Sequence, residues 1–114
     1  MTSAAGLYSK QKKGYTIIGL PAVITRENVL HIENRIGAII TQTKKPVILD
    51  ISTVRDIFSI LITLIVHIKN QVFDSGETLY LINVNDNCLA QLKSMNLHKV
   101  LPIYKNEAAV KEIL

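Results

Sequence analysis

The side chains that could bind a metal or transfer a proton are scattered along this sequence. The three histidines, His31, His67 and His98, fall in three different predicted elements, and this separation does not indicate a metal site. Cys88 falls in the first turn of a predicted helix, where the helix dipole favours a thiolate. No base accompanies it in the pattern, so we expect a buried structural cysteine. The sequence also lacks the motifs GxxxxGK[ST], GxGxxG and GxSxG.

One carboxylate, Asp50, stands where α/β enzymes often place an acid, at the end of a predicted strand. Ser52 and Thr53 follow it, and an aspartate in such a polar segment is typical of a turn. We therefore expect Asp50 to cap a turn. Taken with the scattered histidines, this predicts a chain without enzymatic activity, without a cofactor and without a bound metal.

The basic excess is confined to the beginning of the chain. The net charge is +4, and the only charged residues before Glu27 are Lys10, Lys12, Lys13 and Arg26. From Glu27 onward, nine basic and nine acidic residues cancel. A nucleic-acid interface needs more arginine and interleaved aromatic residues, whereas lysines on an edge strand discourage edge-to-edge pairing. We predict a solvated sheet edge and no nucleic-acid partner.

Length and composition predict one domain over residues 1–114, with residues 1–6 as a flexible N-terminus. An apolar share of 48% supports a core without covalent staples. A single cysteine cannot form an internal disulfide, which suits a reducing compartment. No hydrophobic leader is visible, and the longest apolar run, 57–66, is shorter than the roughly 20 residues that span a bilayer. We expect a cytoplasmic protein without direct membrane insertion.

Short β-rich segments alternate with amphipathic helical segments. Strands are expected at 7–10, 14–20, 47–49, 78–83 and 100–104, and helices after the N-cap Thr25, at 56–71, after Asn85 or Asp86, and at 107–113. The apolar segment 47–49 is typical of a central strand, and Pro102 places the last strand at an edge. This alternation predicts an α/β fold with a mixed, mostly parallel sheet of four or five strands and about four helices.

The predicted second helix is apolar around most of its circumference. Only Ser59, Thr63, His67 and Asn70 form a narrow polar stripe. A helix of this kind is either covered on both flanks or presents an apolar surface to a partner. The sequence leaves both interpretations open. In the second interpretation, the first turn of this helix is the interaction surface.

Four segments carry a resemblance to a known family. They are LDIS at 49–52, SGETLYLIN at 75–83, CLAQLKSMNLHKVLPIY at 88–104 and NEAAVKEIL at 106–114. In order and spacing they resemble the STAS domain of bacterial anti-sigma factor antagonists, over about residues 7–114. The resemblance implies a single STAS-like domain and a regulatory, non-catalytic role in bacterial transcription.

The chain departs from this family at the phosphorylation motif. Aligned from LDIS, the family's Asp-Ser-Ser-Gly falls on Phe58, Ser59, Ile60 and Leu61, so that Ile60 replaces the acceptor serine. The family's acidic residue after the second strand falls near Ala22. Ser59 is the remaining candidate acceptor, close to a carboxylate if the helix begins at Asp56. A phosphate adds about −1.5 to −2 charges. Because apolar residues replace the acceptor serine and the acidic residue, we predict little regulated phosphorylation.

The resemblance implies a protein partner: an anti-sigma factor, a kinase-like protein or another STAS protein, with a homodimer as one form of the last. The alternative is an accessory subunit of a membrane transport complex, packed on an ABC-type ATPase. The expected partner-binding residues lie at the start of the second helix and in the loop before the first helix: Ile57, Phe58, Ser59, Ile60, Thr63, Ala22, Ile24 and Thr25.

Overall fold

Strands and helices alternate along the chain, which a computed structural model describes over residues 6–114. The strands are β1 (Tyr8–Lys12), β2 (Tyr15–Gly19), β3 (Val47–Asp50), β4 (Leu79–Ile82) and β5 (Ile103–Tyr104). The helices are α1 (Val29–Thr43), α2 (Ser59–Asp74), α3 (Asp86–Ser94) and α4 (Glu107–Lys111), with a 3₁₀ turn at Leu97–Lys99. The predicted flexible N-terminus falls on residues 1–5, outside the described residues, and on Gly6, which lies in a turn.

The five strands form one sheet in chain order, β1-β2-β3-β4-β5. β1 pairs antiparallel with β2, and the other three pairings are parallel. This confirms the predicted α/β class and mixed sheet, with β3 in the centre and β5 at an edge. The last strand is shorter than predicted, because Leu101 lies in a bend and Pro102 has no N–H to donate.

The two faces of the sheet have different covers. Because consecutive parallel strands are neighbours and their crossovers are right-handed, α1, α2 and α3 lie on one face. We call this the helix-packed face; its strand residues are Ile18, Val47, Leu49, Leu79 and Leu81, and Leu20, directly after β2, belongs to the same core. The alternate strand positions form the tyrosine face, with Tyr15, Ile17, Ile48, Tyr80, Ile82 and Tyr104, which Val110 of α4 covers.

Two helices begin later than the sequence predicts. Thr25 is not the N-cap of α1, which begins at Val29 after Asn28. The Asn28 side chain instead orders the preceding loop, because its Oδ1 accepts from the Thr25 N–H and its Nδ2 donates to the Val23 carbonyl. α2 begins at Ser59 rather than near Asp56. The cap of α3 is Asn85, one of the two residues predicted to precede this helix, and Asn106 caps α4.

Neighbouring elements cover most of the apolar surface of α2. Its central residues Leu61, Leu64, Ile65, Ile68 and Val72 are buried, and Ile60 and Ile62 pack against the same core. Large apolar exposure is confined to its two ends, where Phe58 is 41% exposed and Phe73 is 74% exposed. The covered-flank interpretation therefore holds for the middle of the helix. Within residues 6–114, every helix is too short or too polar to cross a membrane.

Candidate functional site

A cleft of about 590 Å³ opens at the carboxyl ends of β2 and β3. Its walls come from the loop before α1, the loop after β3 and the start of α2: Ala22, Ile24, Ser52, Thr53, Val54, Arg55, Asp56, Phe58 and Leu61. In parallel α/β sheets, the loops at the carboxyl ends of the strands are the usual place for binding sites. Most of these residues are apolar or neutral, with Arg55 and Asp56 as the charged groups.

Hydrogen bonds hold the loop after β3 in place. The Thr53 hydroxyl donates to the Leu20 carbonyl at 2.8 Å and so joins the loop after β3 to the end of β2. The Val54 N–H donates to the Ile51 carbonyl at 3.0 Å, which closes the turn. Loop residues that carry a binding surface are best held by such bonds, because ordering them on binding costs entropy.

The structure brings the predicted contact residues to one region but exposes only some of them. Ala22, Ser59 and Thr63 are exposed, as is Phe58, and the Thr63 hydroxyl donates to the Ser59 carbonyl at 3.1 Å. Ile57 and Ile24 are instead buried, at 6% and 8% exposure, and belong to the main core. Ile60 and Thr25 are half-buried. The side chains of Ile57 and Ile24 therefore support the cleft from below.

Val23, in the loop that was expected to take part in the contact, is 65% exposed beside Ala22. Ser52, Thr53, Arg55 and Asp56 line the cleft but were not among the predicted contact residues. Their position between a predicted strand and a predicted helix was the available clue, because loops at strand ends carry function more often than the elements they connect. Asp56 does not begin α2; its carboxylate accepts a hydrogen bond from Asn87 Nδ2.

Asp50 joins three strands behind the cleft. Its Oδ1 accepts from the Ser52 N–H at 2.9 Å, which confirms the predicted turn cap, and from Asn83 Nδ2 at 3.1 Å. Its Oδ2 accepts from the Tyr8 hydroxyl at 2.7 Å. Burial raises the pKa of Asp50, but the hydrogen bonds from Tyr8, Asn83 and Ser52 outweigh it and hold the pKa below its usual range. The carboxylate has a structural role, and neither Tyr8 nor Asn83 was predicted to share it.

The remaining reactive side chains lie outside the cleft. Cys88 is fully buried, as predicted, and burial together with the charge of Asp56 raises the pKa of its thiol. His67 lies exposed on α2 with its Nδ1 2.7 Å from Glu33 Oε1, which joins α2 to α1. In the part of the chain that the structure describes, histidine, cysteine and carboxylate side chains form no cluster able to hold a metal ion.

The family model of the STAS domain matches residues 8–110. The chain belongs to the STAS domain family. This match covers the whole sheet, the cleft and most of α4. Curated proteins offer no significant sequence match to the chain.

Solved structures of this family share the fold. An anti-sigma factor antagonist STAS domain protein from Planctomyces limnophilus is 20% identical, with a TM-score of 0.79 over 95% of this chain and 98% of that one. A putative anti-sigma factor antagonist from Thermotoga maritima is 21% identical, with a TM-score of 0.82 over 96% and 94%. A chain of the stressosome, a signal integration and transduction hub, is 14% identical, with a TM-score of 0.76 over 90% of each chain.

Proposed function

We propose that this STAS domain is a non-catalytic regulatory module, similar to anti-sigma factor antagonists, that binds a protein partner through the cleft and the start of α2. The observation that carries the proposal is the exposed Phe58 at the mouth of a mostly uncharged cleft at the strand ends. Aromatic residues, phenylalanine among them, are enriched at protein interfaces relative to the rest of the surface. The proposed contact surface is Ala22, Val23, Arg55, Phe58, Ser59 and Thr63.

The partner that fits this proposal is an anti-sigma factor, a kinase-like protein or another STAS domain, in the cytoplasm of a bacterium. Similarity to antagonists of anti-sigma factors supports the first two, and similarity to a stressosome chain supports the third. A second copy of this chain is one form of the third case. The function in transcription follows from this partner class.

The contact is permanent rather than switched by phosphate. Ile60, at the position of the family's acceptor serine, has no hydroxyl and packs against the core. Ala22, near the family's acidic position, is an exposed residue without charge. Ser59 is the one hydroxyl left in the motif, and as the first residue of α2 it lies where a phosphate is favoured by the helix dipole.

Replacement of Phe58 tests the surface. Phe58→Ala should weaken capture of the partner, because it removes the exposed aromatic ring beside the cleft. Phe73→Ala is the matched control, since Phe73 is exposed at the other end of the same helix. Wild-type and variant chains would be used to recover partners from the native host, with mass spectrometry for identification. Equal loss of capture in both variants, or no loss in either variant, contradicts the proposed surface.

A charge at Ser59 gives a second test. Ser59→Asp should weaken binding, because a carboxylate loses its hydration in an apolar interface, whereas Ser59→Asn keeps the size without the charge. The free energy of unfolding should change by no more than about 0.5 kcal/mol in both variants, since Ser59 is exposed. Recovery of an ABC-type ATPase in place of a regulatory protein would favour the accessory transport subunit.

Phosphorylation is tested in the same material. We expect Ser59 to carry little phosphate in protein isolated from its host, measured by mass spectrometry of the peptide that contains it. Substantial modification of Ser59 would show that the electrostatic switch survives with a shifted acceptor.

A further inference from the structure

The loop that carries Arg55, Asp56 and Phe58 into the cleft has no regular secondary structure. Residues 54–58 follow the turn after β3 and lead directly into α2. Backbone N–H and C=O groups in such a segment need partners wherever they leave water. In this protein the first two turns of α3, about thirty residues later in the chain, provide those partners through their side chains.

Asn85 serves two elements at once. Its Oδ1 accepts from the Cys88 N–H at 2.7 Å and so caps α3. Its Nδ2 donates to the carbonyls of Val54, at 3.0 Å, and Arg55, at 3.3 Å. Serine or aspartate would cap the helix as well, but neither carries the two N–H donors of an amide. The asparagine therefore joins the cap of α3 to the loop.

Asn87 and Gln91 hold the rest of the segment. Asn87 Nδ2 donates to the Arg55 carbonyl at 3.1 Å and to the Asp56 carboxylate. Gln91 Oε1 accepts from the Ile57 N–H at 2.8 Å, and its Nε2 donates to the Ile57 carbonyl at 3.2 Å. Each of the four residues 54–57 thus has at least one hydrogen bond to a side chain of α3 or of its N-cap.

We propose that Asn85, Asn87 and Gln91, which we call the α3 clamp, are positioning residues of the partner-binding cleft. The clamp fixes residues 54–57, which lead directly into Phe58, before a partner arrives, so that binding does not have to order this segment. The inference rests on the proposed function, because that function gives the loop its role in partner binding. The effect of the clamp on the loop is measurable without a partner.

Asn87→Asp separates the clamp from the stability of α3. A carboxylate in the first turn of a helix is favoured by the dipole, so the helix is not weakened. The same carboxylate cannot donate to the Arg55 carbonyl and faces Asp56. We expect the amides of Val54 and Ile57 to exchange with solvent about tenfold faster, although neither amide is bonded to residue 87. Asn87→Ala should have the same effect without added charge.

Asp86→Asn is the control, because Asp86 lies in the same helical turn and is exposed outside the clamp. It should leave exchange in the loop unchanged. Unchanged exchange of the Val54 and Ile57 amides in both Asn87 variants would overturn the proposal. Faster exchange spread evenly over α3 would overturn it as well, since Asn87 would then stabilise the helix rather than the loop.

Capture of the protein partner distinguishes failure of the clamp from failure of the proposed function. Faster loop exchange together with weaker capture by Asn87→Asp supports the positioning role. Faster exchange with normal capture, while Phe58→Ala loses capture, overturns that role and leaves the proposed function standing. Normal capture by both Asn87→Asp and Phe58→Ala places the interface elsewhere and overturns both.

Discussion

The two faces of the sheet are built from different side chains and are closed in different ways. The helix-packed face has aliphatic strand residues under three helices. The tyrosine face carries all four tyrosines of the chain: Tyr15, Tyr80 and Tyr104 with their apolar neighbours, and Tyr8, whose ring lies over Gly19. Within residues 6–114, its cover is one short helix, α4. Tyr80 and Tyr104 meet edge to face with ring centroids 5.7 Å apart.

The interactions on the two faces differ in whether they are directional. Burial of aliphatic groups under α1, α2 and α3 is large and non-directional, and it sets most of the free energy of unfolding. On the tyrosine face, two hydroxyl–carboxylate bonds attach the terminal elements: Tyr8 joins β1 to Asp50, and Tyr15 joins β2 to Glu107 of α4. The first face therefore holds the domain together, and the second fixes where its two ends lie.

The largest expected effect is on the helix-packed face. Leu81 is fully buried in β4 among the residues of the main core. Leu81→Ala should lower the free energy of unfolding by about 2–5 kcal/mol, because it removes buried methyl groups and leaves a cavity. Urea denaturation followed by circular dichroism measures this loss. A loss below about 1 kcal/mol would mean that the core of this face is loosely packed.

A smaller effect is expected where a tyrosine covers a glycine. A Cβ at Gly19 would lie 1.8 Å from Cε1 of Tyr8, so the ring has to leave its place. Gly19→Ala should cost about 1–3 kcal/mol, as overpacked sites do, and should detach Tyr8 from Asp50. The double variant Gly19→Ala with Tyr8→Ala has room for the new Cβ. Gly19→Ala should therefore cost less stability in the Tyr8→Ala background than in the wild-type background. An equal cost in the two backgrounds would contradict steric displacement of the ring.

The order of elements could be predicted because it depends on local patterns. Apolar runs such as 47–49 and the caps Asn85 and Asn106 act within a few residues of themselves. The start of α2 could not be predicted in this way. Its apolar pattern extends back to Ile57, but that residue is bonded to Gln91 of α3 and so remains outside the helix.

The position of the cleft could be predicted from the sequence, but the exposure of the predicted contact residues could not. The end of a buried strand and the following helix start mark the region, and Phe58 and Ala22 lie there exposed. Which neighbours face inward depends on packing: Ile57 and Ile24 resemble Phe58 in the sequence but are buried. Tyr8 and Asn83 bond to Asp50 from 42 and 33 positions away in the sequence, and no local pattern indicates this convergence.

The bond between Tyr15 and Glu107 predicts an alkaline limit to stability. This hydrogen bond, with burial and the charge of Glu107, raises the pKa of Tyr15 to about 12. A raised pKa in the folded state means that the contribution is complete below the unfolded value of about 10 and is lost as pH rises toward 12. Tyr15→Phe should cost about 1–2 kcal/mol at neutral pH.

Melting temperatures between pH 9 and 12 test this expectation. The wild-type protein should lose more stability over this range than Tyr15→Phe, and absorbance at the phenolate band should show one fewer late-titrating tyrosine in the variant. Parallel curves for the two proteins would show that the hydroxyl of Tyr15 does not hold α4.

The smallest effect is expected at Tyr8, where an acid-side pH dependence comes from the carboxylate of Asp50. The hydrogen bonds to Asp50 lower its pKa in the folded state, so their contribution is present above the unfolded value of about 4 and is lost as pH falls through the folded value. Tyr8→Phe removes one of these bonds. Because Tyr8 is 40% exposed, water replaces part of the interaction, and we expect a cost of about 0.5–1 kcal/mol at pH 7 that shrinks toward pH 3. Thermal melting of both proteins across this range measures it. A cost that equals that of Leu81→Ala, or that stays constant with pH, would mean that Tyr8 contributes by apolar packing and that the two faces of the sheet do not differ in kind.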